Sequence, residues 1–433
     1  MTAGDPIPRE LTEQARAWIA DDPDAADRAE LQDLLDTAAR GDPAGGAPGQ
    51  AAAADLADRF GGRLEFGTAG LRGAMGAGPN RMNRAVIRAA TAGLARWLRE
   101  HRPPGTGVVL GWDARHRSAE FAGEAAGVLT GAGLPVHLLP GRSPTPLLAF
   151  AIRHLSASAG VMITASHNPP ADNGYKLYLG DGVQIIPPVD AEIAAAIRSP
   201  GPLSAIPLGP AGGPLIIQHG DEIAQAYLDA ILAASPGVPP PAGRVRDVRM
   251  VYTPLHGVAG PLMLRAIDRA GYPPPYVVPG QAVPDPDFPT VSFPNPEEPG
   301  ALDLALADAR RLEADLVLAS DPDGDRLAVA VPDPAAEGGW RKLTGDQVGG
   351  LLGAFVLDAT ADQADQAAPD QRLAATTVVS SSLLSKVAAE AGVQYVETLT
   401  GFKWIVRAAD HRPGTRFVFG YEEALGYAVG NVV

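Results

Sequence analysis

Cysteine is absent from the 433-residue chain, which excludes disulfide bridges, thiolate zinc sites, iron–sulfur clusters and cysteine nucleophiles. No apolar run approaches the roughly 18 residues that indicate a membrane span, and the start of the chain lacks the basic and apolar regions of a secretory signal. Positive charge is also scarce, with 35 Lys and Arg against 50 Asp and Glu and a net charge of −15. Because this balance repels polyanions, we expect a cytoplasmic protein that binds neither nucleic acid nor membranes.

Packed domains are expected from what the chain does contain. Hydrophobic residues make up 46% of the sequence and charged residues 20%, which is ample material for the cores of an ordinary globular protein. At about 100 to 200 residues per domain, the length predicts two to four domains. The 50 glycines and 42 prolines predict many ordered loops.

Short apolar runs alternate with helical patterns, and this alternation predicts an α/β fold in which helices cover sheets. The predicted helices lie over residues 10–20, 85–100, 118–132, 221–234, 260–271 and 301–312. The predicted strands lie over residues 107–111, 134–139, 159–163, 174–179, 248–253 and 315–319. Breaker-rich stretches, among them the linker GDPAGGAPGQ at 41–50, separate larger parts of the chain. We therefore predict an N-terminal helical extension with its linker and three α/β units, over residues 1–50, 51–205, 215–335 and 340–433.

A serine and a histidine stand side by side in the loop between two predicted strands, in the sequence TASHNPP at 164–170. The hydroxyl of Ser166 is a weak nucleophile unless a base or a metal activates it. His167 is not expected to be that base, because neighbours in sequence seldom face one another. The motif is not a GxSxG elbow, which argues against an α/β-hydrolase. Hydrogen bonding within the loop is the alternative reading of the pair.

Three aspartates alternate in SDPDGDR, directly after the predicted strand at 315–319. In an extended loop this spacing points Asp321, Asp323 and Asp325 toward one centre, and three oxygen ligands suit Mg²⁺ or Ca²⁺. An EF-hand is excluded, because its sixth position would be Arg326 and not glycine. A solvated turn is the alternative.

Two further signals involve basic residues. The glycine-rich sequence GTAGLRG at 67–73 contains Arg72 and can bind an anion, although it lacks P-loop spacing and a tight turn explains it equally well. Lys176 is one of only four lysines in the chain. Unlike arginine, a lysine can act as a base, but a solvated strand residue is the alternative.

Two motifs near the end follow predicted strands, TLTGFKW at 398–404 and FGYEEALGY at 419–427. Glu422 and Glu423 could accept hydrogen bonds from sugar hydroxyls, although adjacent residues on a strand point to opposite faces. A charged turn is the alternative interpretation.

Taken in this order, GTAGLRG, TASHNPP with NGYK, DPDGDR, TGFKW and GYEEALGY resemble the motifs of the α-D-phosphohexomutases. The resemblance is to the phosphoglucomutase/phosphomannomutase branch, which includes phosphopentomutases. It extends over nearly the whole chain and includes TPLHGV at 253–258 and two proline-rich motifs between 284 and 300.

The resemblance implies consecutive mixed-sheet α/β units of the phosphohexomutase type, with three present and the fourth missing. It names them a phosphoserine domain (51–205), a metal-loop domain (215–335) and a sugar-recognition domain (340–433) that is incomplete. No phosphate-gripping loop of the Arg-Ser-Gly-Thr type, which the family carries in its fourth domain, occurs before Val433. Whether the chain is active without it, and its oligomeric state, stay open at this stage.

The implied activity is that of an isomerase of carbohydrate metabolism, a phosphoglucomutase. It would interconvert glucose 1-phosphate and glucose 6-phosphate through a phosphoserine and a bisphosphate intermediate, with one Mg²⁺ per chain and a sugar bisphosphate as primer. The alternatives are a phosphopentomutase or phosphomannomutase, a noncatalytic phosphosugar-binding protein, and a metal-dependent phosphatase. A phosphorylated sugar is the expected partner in each case.

The resemblance also assigns roles to single residues. Ser166 would carry the phosphoryl group, Lys176 would be the general base, and His167 would stabilise the nucleophile. The metal ligands would be Asp321, Asp323, Asp325 and the phosphorylated Ser166. Substrate-binding residues would be Arg72, Arg326, Thr400, Lys403, Glu422 and Glu423.

Overall fold

A computed structural model of the chain describes residues 7–40, 47–65, 70–103, 105–198, 201–235, 247–361, 371–410 and 412–432. Within these residues the strands form three sheets, and each sheet contains both parallel and antiparallel pairs. This confirms the prediction of three consecutive mixed-sheet α/β units. Among the described helices, none combines the length and apolar character needed to cross a membrane.

Three helices precede the first sheet: α1 (Arg9–Asp21), α2 (Ala25–Ala39) and α3 (Ala47–Phe60). Their shared core includes Leu31 and Leu56, both fully buried. The helix predicted over 10–20 is confirmed as α1, but the boundary predicted after residue 50 falls inside α3. The alanine-rich run at 51–54 continues the helix, because alanine has the highest helix propensity, and Leu56 anchors it to the extension. Residues 41–46 of the predicted linker lie outside the described residues.

The first sheet has six strands in the order β1-β5-β4-β2-β3-β6, with β1 and β5 antiparallel to their neighbours and the others parallel. The strands are β1 (Leu71–Ala74), β2 (Val108–Trp112), β3 (Val136–Arg142), β4 (Ala159–Ile163), β5 (Asp172–Leu179) and β6 (Ile216–Gln218). The associated helices are α4 (Arg84–His101), α5 (Ser118–Gly131), α6 (Thr145–His154), α7 (Val189–Arg198) and α8 (Glu222–Ala234).

Helices cover both faces of this sheet. Val108 and Leu110 of β2 pack in the core formed with α4 and α5, whereas Val109 between them packs in the core formed with α6 and α8. Successive side chains of a strand point to opposite faces, so a central strand covered on both sides is apolar throughout, as VVLGW and AGVMI are.

The second sheet has the order β11-β10-β9-β7-β8, with parallel pairing between β9, β7 and β8 and antiparallel pairing at the other edge. Its strands are β7 (Met250–Thr253), β8 (Tyr276–Val277), β9 (Leu316–Ser320), β10 (Leu327–Pro332) and β11 (Trp340–Lys342). Its helices are α9 (Gly260–Arg269) and α10 (Asp303–Arg311).

The third sheet has the order β13-β12-β14-β15, and only the last pair is antiparallel. Its strands are β12 (Arg372–Thr377), β13 (Gln394–Thr398), β14 (Arg416–Glu422) and β15 (Gly426–Val429). Its helices are α11 (Gly345–Ala359), α12 (Leu383–Glu390) and α13 (Phe402–Ile405).

Two predicted unit boundaries are wrong, because each places a short strand in the unit after the one whose sheet it joins. Ile216–Gln218, predicted to open the second unit, pairs with β3 in the first sheet. Trp340–Lys342, predicted to open the third unit, pairs with β10 in the second sheet. A strand of three residues carries too little pattern to identify its partner, so only the hydrogen-bonding register assigns it to a sheet.

TASHNPP follows β4, SDPDGDR begins at the last residue of β9, and GYEEALGY includes the end of β14 and the turn that follows it. Each of these strands is parallel to at least one neighbour in its own sheet. Ligands of α/β proteins bind beyond the carboxyl ends of parallel strands, and the three motifs follow such ends.

Candidate active site

Ser166 lies in the loop after β4 and is 1% exposed. Its backbone has φ of 53°, in the left-handed region that non-glycine residues rarely adopt. This conformation turns the side chain toward the second unit, where its hydroxyl donates a hydrogen bond to Asp321 Oδ2 at 2.9 Å. The structure thus brings together the serine of the first sheet and the acidic loop of the second.

The turn from β9 to β10 holds the three aspartates, with one carboxylate oxygen of each within 4.8 Å of the others. Asp321 and Asp323 are fully buried, and Asp323 Oδ1 has no hydrogen-bond partner among the described residues. Burial raises the pKa of Asp321 well above its usual range, and the nearby Asp323 carboxylate adds to this. An acidic cluster with two buried aspartates, a partly exposed Asp325 and an unsatisfied oxygen fits a hard divalent cation such as Mg²⁺.

Lys176 on β5 extends into the same cluster. Its ammonium group is 2.6 Å from Asp323 Oδ2 and 2.8 Å from Asp325 Oδ2, and the side chain is 2% exposed. Burial favours the neutral amine, but the two carboxylates outweigh burial and raise the pKa of Lys176. Burial would likewise raise the pKa of Asp323, yet Lys176 holds it far below its usual range. In this arrangement Lys176 is a cation that partly neutralises the cluster.

His167 faces the serine, contrary to the expectation from sequence. Its Nδ1 lies 3.2 Å from Ser166 Oγ, because the positive φ of Ser166 turns the loop sharply between the two residues. Burial, Arg326 and Arg72 lower the pKa of His167 to about 4. The imidazole is therefore neutral near pH 7 and can share a hydrogen bond with the hydroxyl.

Arg326 and Arg72 add positive charge around this cluster. The backbone N–H of Arg326 donates to Asp321 Oδ1 at 3.0 Å, and its guanidinium lies 3.6 Å from Glu297. Arg72 lies on β1, opposite Gly174 of β5, and its buried Nε has no hydrogen-bond partner among the described residues. A free buried donor of this kind suits an anionic ligand. Residues 67–69 of GTAGLRG lie outside the described part of the chain.

Glu422 and Glu423 face different surroundings, as their adjacent positions on a strand predict. Burial raises the pKa of Glu422 to about 7, with Arg326 opposing the shift and Asp325 contributing to it. Glu422 is thus near enough to Arg326 and Asp325 for their charges to act on it. Glu423 instead accepts hydrogen bonds from Thr377 at 2.8 Å and Ser380 at 3.0 Å in its own unit.

Thr400 and Lys403 are not brought into contact with the aspartates in the described residues. Thr400 is exposed in the loop after β13. Lys403 is 7% exposed, and its ammonium lies 6.0 Å from the ring centre of Trp404. Burial lowers its pKa, and Asp190 of α7 opposes the shift. Arg407 donates to both Lys403 O at 3.4 Å and Gln184 O of the first unit at 2.8 Å, so Lys403 lies near the contact between the third and first units.

Thr145 is a site residue that no sequence pattern indicated. Its hydroxyl donates to Asp323 Oδ2 at 2.6 Å, and its backbone N–H donates to Asp323 O at 2.8 Å. Thr145 is the first residue of helix α6 in the first unit, 178 positions before Asp323 in the chain. A threonine after a proline predicts only a helix start, so no local pattern indicated this contact.

Comparison with known families gives three consecutive matches. Models described as phosphoglucomutase/phosphomannomutase, alpha/beta/alpha domains I, II and III match residues 63–202, 225–337 and 344–432 respectively. Together they cover more than half of the chain and follow one another in the order of the three sheets.

Two curated relatives and one solved structure illustrate the similarity. A probable phosphomannomutase of Haemophilus influenzae is 42% identical over 353 residues, which cover 80% of this chain and 67% of the relative. The phosphopentomutase of Homo sapiens is 39% identical over 405 residues, which cover 86% of this chain and 63% of the relative. The chain thus spans about two thirds of the length of these relatives. A phosphoglucomutase/phosphomannomutase family protein from Burkholderia thailandensis shares the fold, with a TM-score of 0.68, 23% identity, and 86% and 73% of the two chains covered.

Proposed function

The chain belongs to the phosphoglucomutase/phosphomannomutase family, and we propose that it is a phosphosugar mutase that interconverts glucose 1-phosphate and glucose 6-phosphate. The observation that carries this proposal is the hydrogen bond from Ser166 to Asp321, at 2.9 Å, within the cluster of three aspartates. A buried nucleophile beside a cation site is what phosphoryl transfer requires, since that reaction depends on positioning and on positive charge around the transferred group.

The proposed reaction consists of two transfers. The phosphoryl group on Ser166 Oγ passes to the free hydroxyl of the sugar monophosphate, which leaves a free serine and a sugar bisphosphate. The bisphosphate reorients, and its other phosphoryl group passes to Ser166 Oγ, which releases the isomeric monophosphate. A sugar bisphosphate supplies the first phosphoryl group to a serine that has none.

We assign the ligands of one Mg²⁺ to Asp321, Asp323, Asp325 and the phosphate on Ser166. When bound, the ion supplies positive charge that stabilises the phosphoryl group in transfer. Asp323 supports the assignment, because one of its buried oxygens has no other partner among the described residues.

We propose Lys176 as the group that takes the proton of the attacking sugar hydroxyl. A protonated amine cannot accept a proton, so Lys176 could take this role only if Asp323 and Asp325 served as metal ligands and no longer held the ammonium group in its charged form. Neutral His167 holds the hydroxyl of Ser166 in place through its hydrogen bond at 3.2 Å.

Substrate recognition is assigned to both phosphate-binding and sugar-binding groups. Arg72 and Arg326 would bind phosphate, and Glu422 would accept hydrogen bonds from sugar hydroxyls at the edge of the cluster. Glu423, Thr400 and Lys403 stay in the proposal as recognition residues of the third unit. They would have to approach the sugar through movement of that unit, because in this structure they lie apart from the aspartates.

Specific alternatives exist for the identity of the sugar phosphate substrate. The human phosphopentomutase is 39% identical to this chain and the Haemophilus relative is named a probable phosphomannomutase, so pentose and mannose phosphates are the alternatives. The predicted cytoplasmic location accords with sugar phosphates as substrates.

Incubation with glucose 1-phosphate, Mg²⁺ and a trace of glucose 1,6-bisphosphate should yield glucose 6-phosphate. Faster turnover of ribose 1-phosphate or mannose 1-phosphate, each with its own bisphosphate, would make that sugar phosphate the proposed substrate. The proposed mutase activity would stand. Release of inorganic phosphate alone would indicate a phosphatase, and binding without turnover would indicate a noncatalytic phosphosugar-binding protein. Either of these last two results would overturn the mutase assignment.

A further inference from the structure

Arg115 is a buried cation that the proposed reaction does not use. It lies in the turn between β2 and α5, and its side chain is 0% exposed. Burying a guanidinium is unfavourable unless its charge is paired and its N–H groups are hydrogen-bonded. The contacts of Arg115 therefore indicate what it stabilises.

Both terminal nitrogens of Arg115 donate hydrogen bonds to the loop that carries Ser166. Nη1 donates to Pro169 O at 2.7 Å and Asp172 O at 3.1 Å. Nη2 donates to Ser166 O at 2.8 Å and to Asn168 O. All four partners are main-chain carbonyls of one short segment, so the segment is wrapped around a single guanidinium.

The Ser166 peptide is fixed on both sides. Its N–H donates to the hydroxyl of Thr164 at 2.9 Å, and its carbonyl accepts from Arg115. A non-glycine residue is less stable in the left-handed region than in the right-handed one, so this conformation persists only where the surroundings hold it. The same conformation directs the hydroxyl to Asp321.

Arg115 is held in turn by groups from two units. Its Nε lies 3.5 Å from Asp113 Oδ2, and Asp113 Oδ1 accepts from Arg115 N at 2.9 Å and from Ser118 at 2.7 Å. From the second unit, the ring of Phe288 has its centre 5.1 Å from the guanidinium carbon. The guanidinium of Arg115 presents its N–H donors in a planar fork that can serve four carbonyls at once. A lysine ammonium group cannot reproduce this geometry.

We propose that Arg115 is a positioning residue that holds the Ser166 loop in the conformation from which the serine accepts and donates the phosphoryl group. It acts through the main chain of residues 166–172. The proposal rests on the proposed mutase function, and its test therefore includes a measurement that does not depend on turnover.

The first experiment follows phosphorylation of Ser166 by glucose 1,6-bisphosphate and Mg²⁺, with intact-protein mass spectrometry at successive times. In R115K we expect the rate constant at saturation to fall about 100-fold, since a misplacement of about 1 Å has that effect. The half-saturating bisphosphate concentration should stay within about twofold, because no substrate contact is removed.

Arg372 provides the matched control. It is 3% exposed in the third unit and donates to the carbonyls of Leu357 at 2.8 Å and Ala391 at 3.2 Å. R372K removes the same kind of buried contact far from the serine and should leave the rate of phosphorylation unchanged. An equal loss in both variants would show a general effect on folding and would overturn the positioning role.

The second experiment measures hydrogen exchange in peptides that contain residues 165–172. We expect faster exchange in R115K than in the wild type and in R372K, whether or not the protein is a mutase. If the 165–172 peptides of R115K are as protected from hydrogen exchange as those of the wild type, the inference about Arg115 is overturned and the proposed function is unaffected. If no sugar bisphosphate phosphorylates the wild-type protein, the proposed function is overturned and the inference about Arg115 is unaffected.

Should R115K fail to fold, D113N replaces it, because asparagine keeps the shape and removes the counter-charge of Arg115. We then expect phosphorylation about tenfold slower, together with faster exchange in the same peptides. Wild-type rate and protection in a folded D113N would overturn the positioning role.

Discussion

Ser166 Oγ lies 2.9 Å from Asp321 Oδ2, although the two residues are 155 positions apart and follow strands of different sheets. This contact unites the nucleophile with the acidic cluster, and its geometry depends on the packing of the first unit against the second. Lys176 crosses the same boundary to reach Asp323 and Asp325. The proposed chemistry therefore belongs to an interface between units.

Replacing Ser166 by alanine should abolish both protein phosphorylation and mutase turnover, because the acceptor oxygen is removed and no other group can take its role. Phosphoprotein mass and coupled glucose 6-phosphate assays would measure the two effects. S385A is the control, since the Ser385 hydroxyl donates to Ser382 O at 2.7 Å on an exposed part of α12. Turnover of S166A at the wild-type rate would remove the serine from the mechanism.

Replacing Asp323 by asparagine should raise the Mg²⁺ concentration for half-maximal activity by at least about tenfold, because a charged ligand is lost. Titration of activity with Mg²⁺ measures this change. D229N is the matched control, since Asp229 is an exposed residue of α8 that pairs with Arg269 of α9. An unchanged Mg²⁺ requirement in D323N would exclude Asp323 from the metal site.

Replacing Lys176 by methionine should lower the free energy of unfolding by about 3 to 5 kcal/mol, because it leaves Asp323 and Asp325 without their cation. Mg²⁺ should restore more stability to K176M than it adds to the wild type, since the ion would replace the lost charge. Thermal unfolding with and without Mg²⁺ measures both effects. K386M, at an exposed position of α12, should show neither, and an equal Mg²⁺ response in K176M and wild type would contradict the prediction.

The Glu422 carboxyl should make stability fall as the pH rises from about 4.5 to about 7. Burial raises its folded pKa to about 7, above the usual value of about 4.3 in the unfolded chain. The folded state therefore binds more protons in this window, and the stabilisation is lost as the pH rises through the folded pKa.

Urea unfolding at several pH values should show that E422Q lacks about 1 to 2 kcal/mol of this pH dependence, a figure reduced for the partial exposure of the group. E390Q, at an exposed site on α12, should keep the wild-type profile. A profile of E422Q that matches the wild type between pH 4.5 and 7 would show that Glu422 does not titrate there.

The six helices and six strands predicted from local pattern are all present in the structure. The apolar run AGVMI is β4 over the predicted residues, and the helical patterns predicted before it at 85–100 and 118–132 are α4 and α5. Short strands were the exception, because Ile216–Gln218 and Trp340–Lys342 joined neighbouring sheets that their sequences do not specify. Helix α3 was missed because the breakers around residue 47 outweighed the alanine-rich run that follows.

Some residues of the site were likewise predictable from local sequence, and others were not. Asp321, Asp323 and Asp325 share one turn, so their spacing alone predicted that they lie together. Thr145 and Arg115 reach the site from other segments through hydrogen bonds to residues distant in the chain, and nothing near either residue in the chain indicates such partners. His167 was expected to face away from Ser166, and the positive φ of the serine reversed that expectation.

The amino-acid sequence by itself determined the strongly patterned helices and strands, the order of the motifs and the chemistry available in each loop, because these depend on residue type and on spacing of a few positions. Only the tertiary structure decided which sheet each short strand joins, which way Ser166 points, and that Arg115 lies beneath it. Those features depend on contacts between segments far apart in the chain, where packing and buried charge determine the geometry.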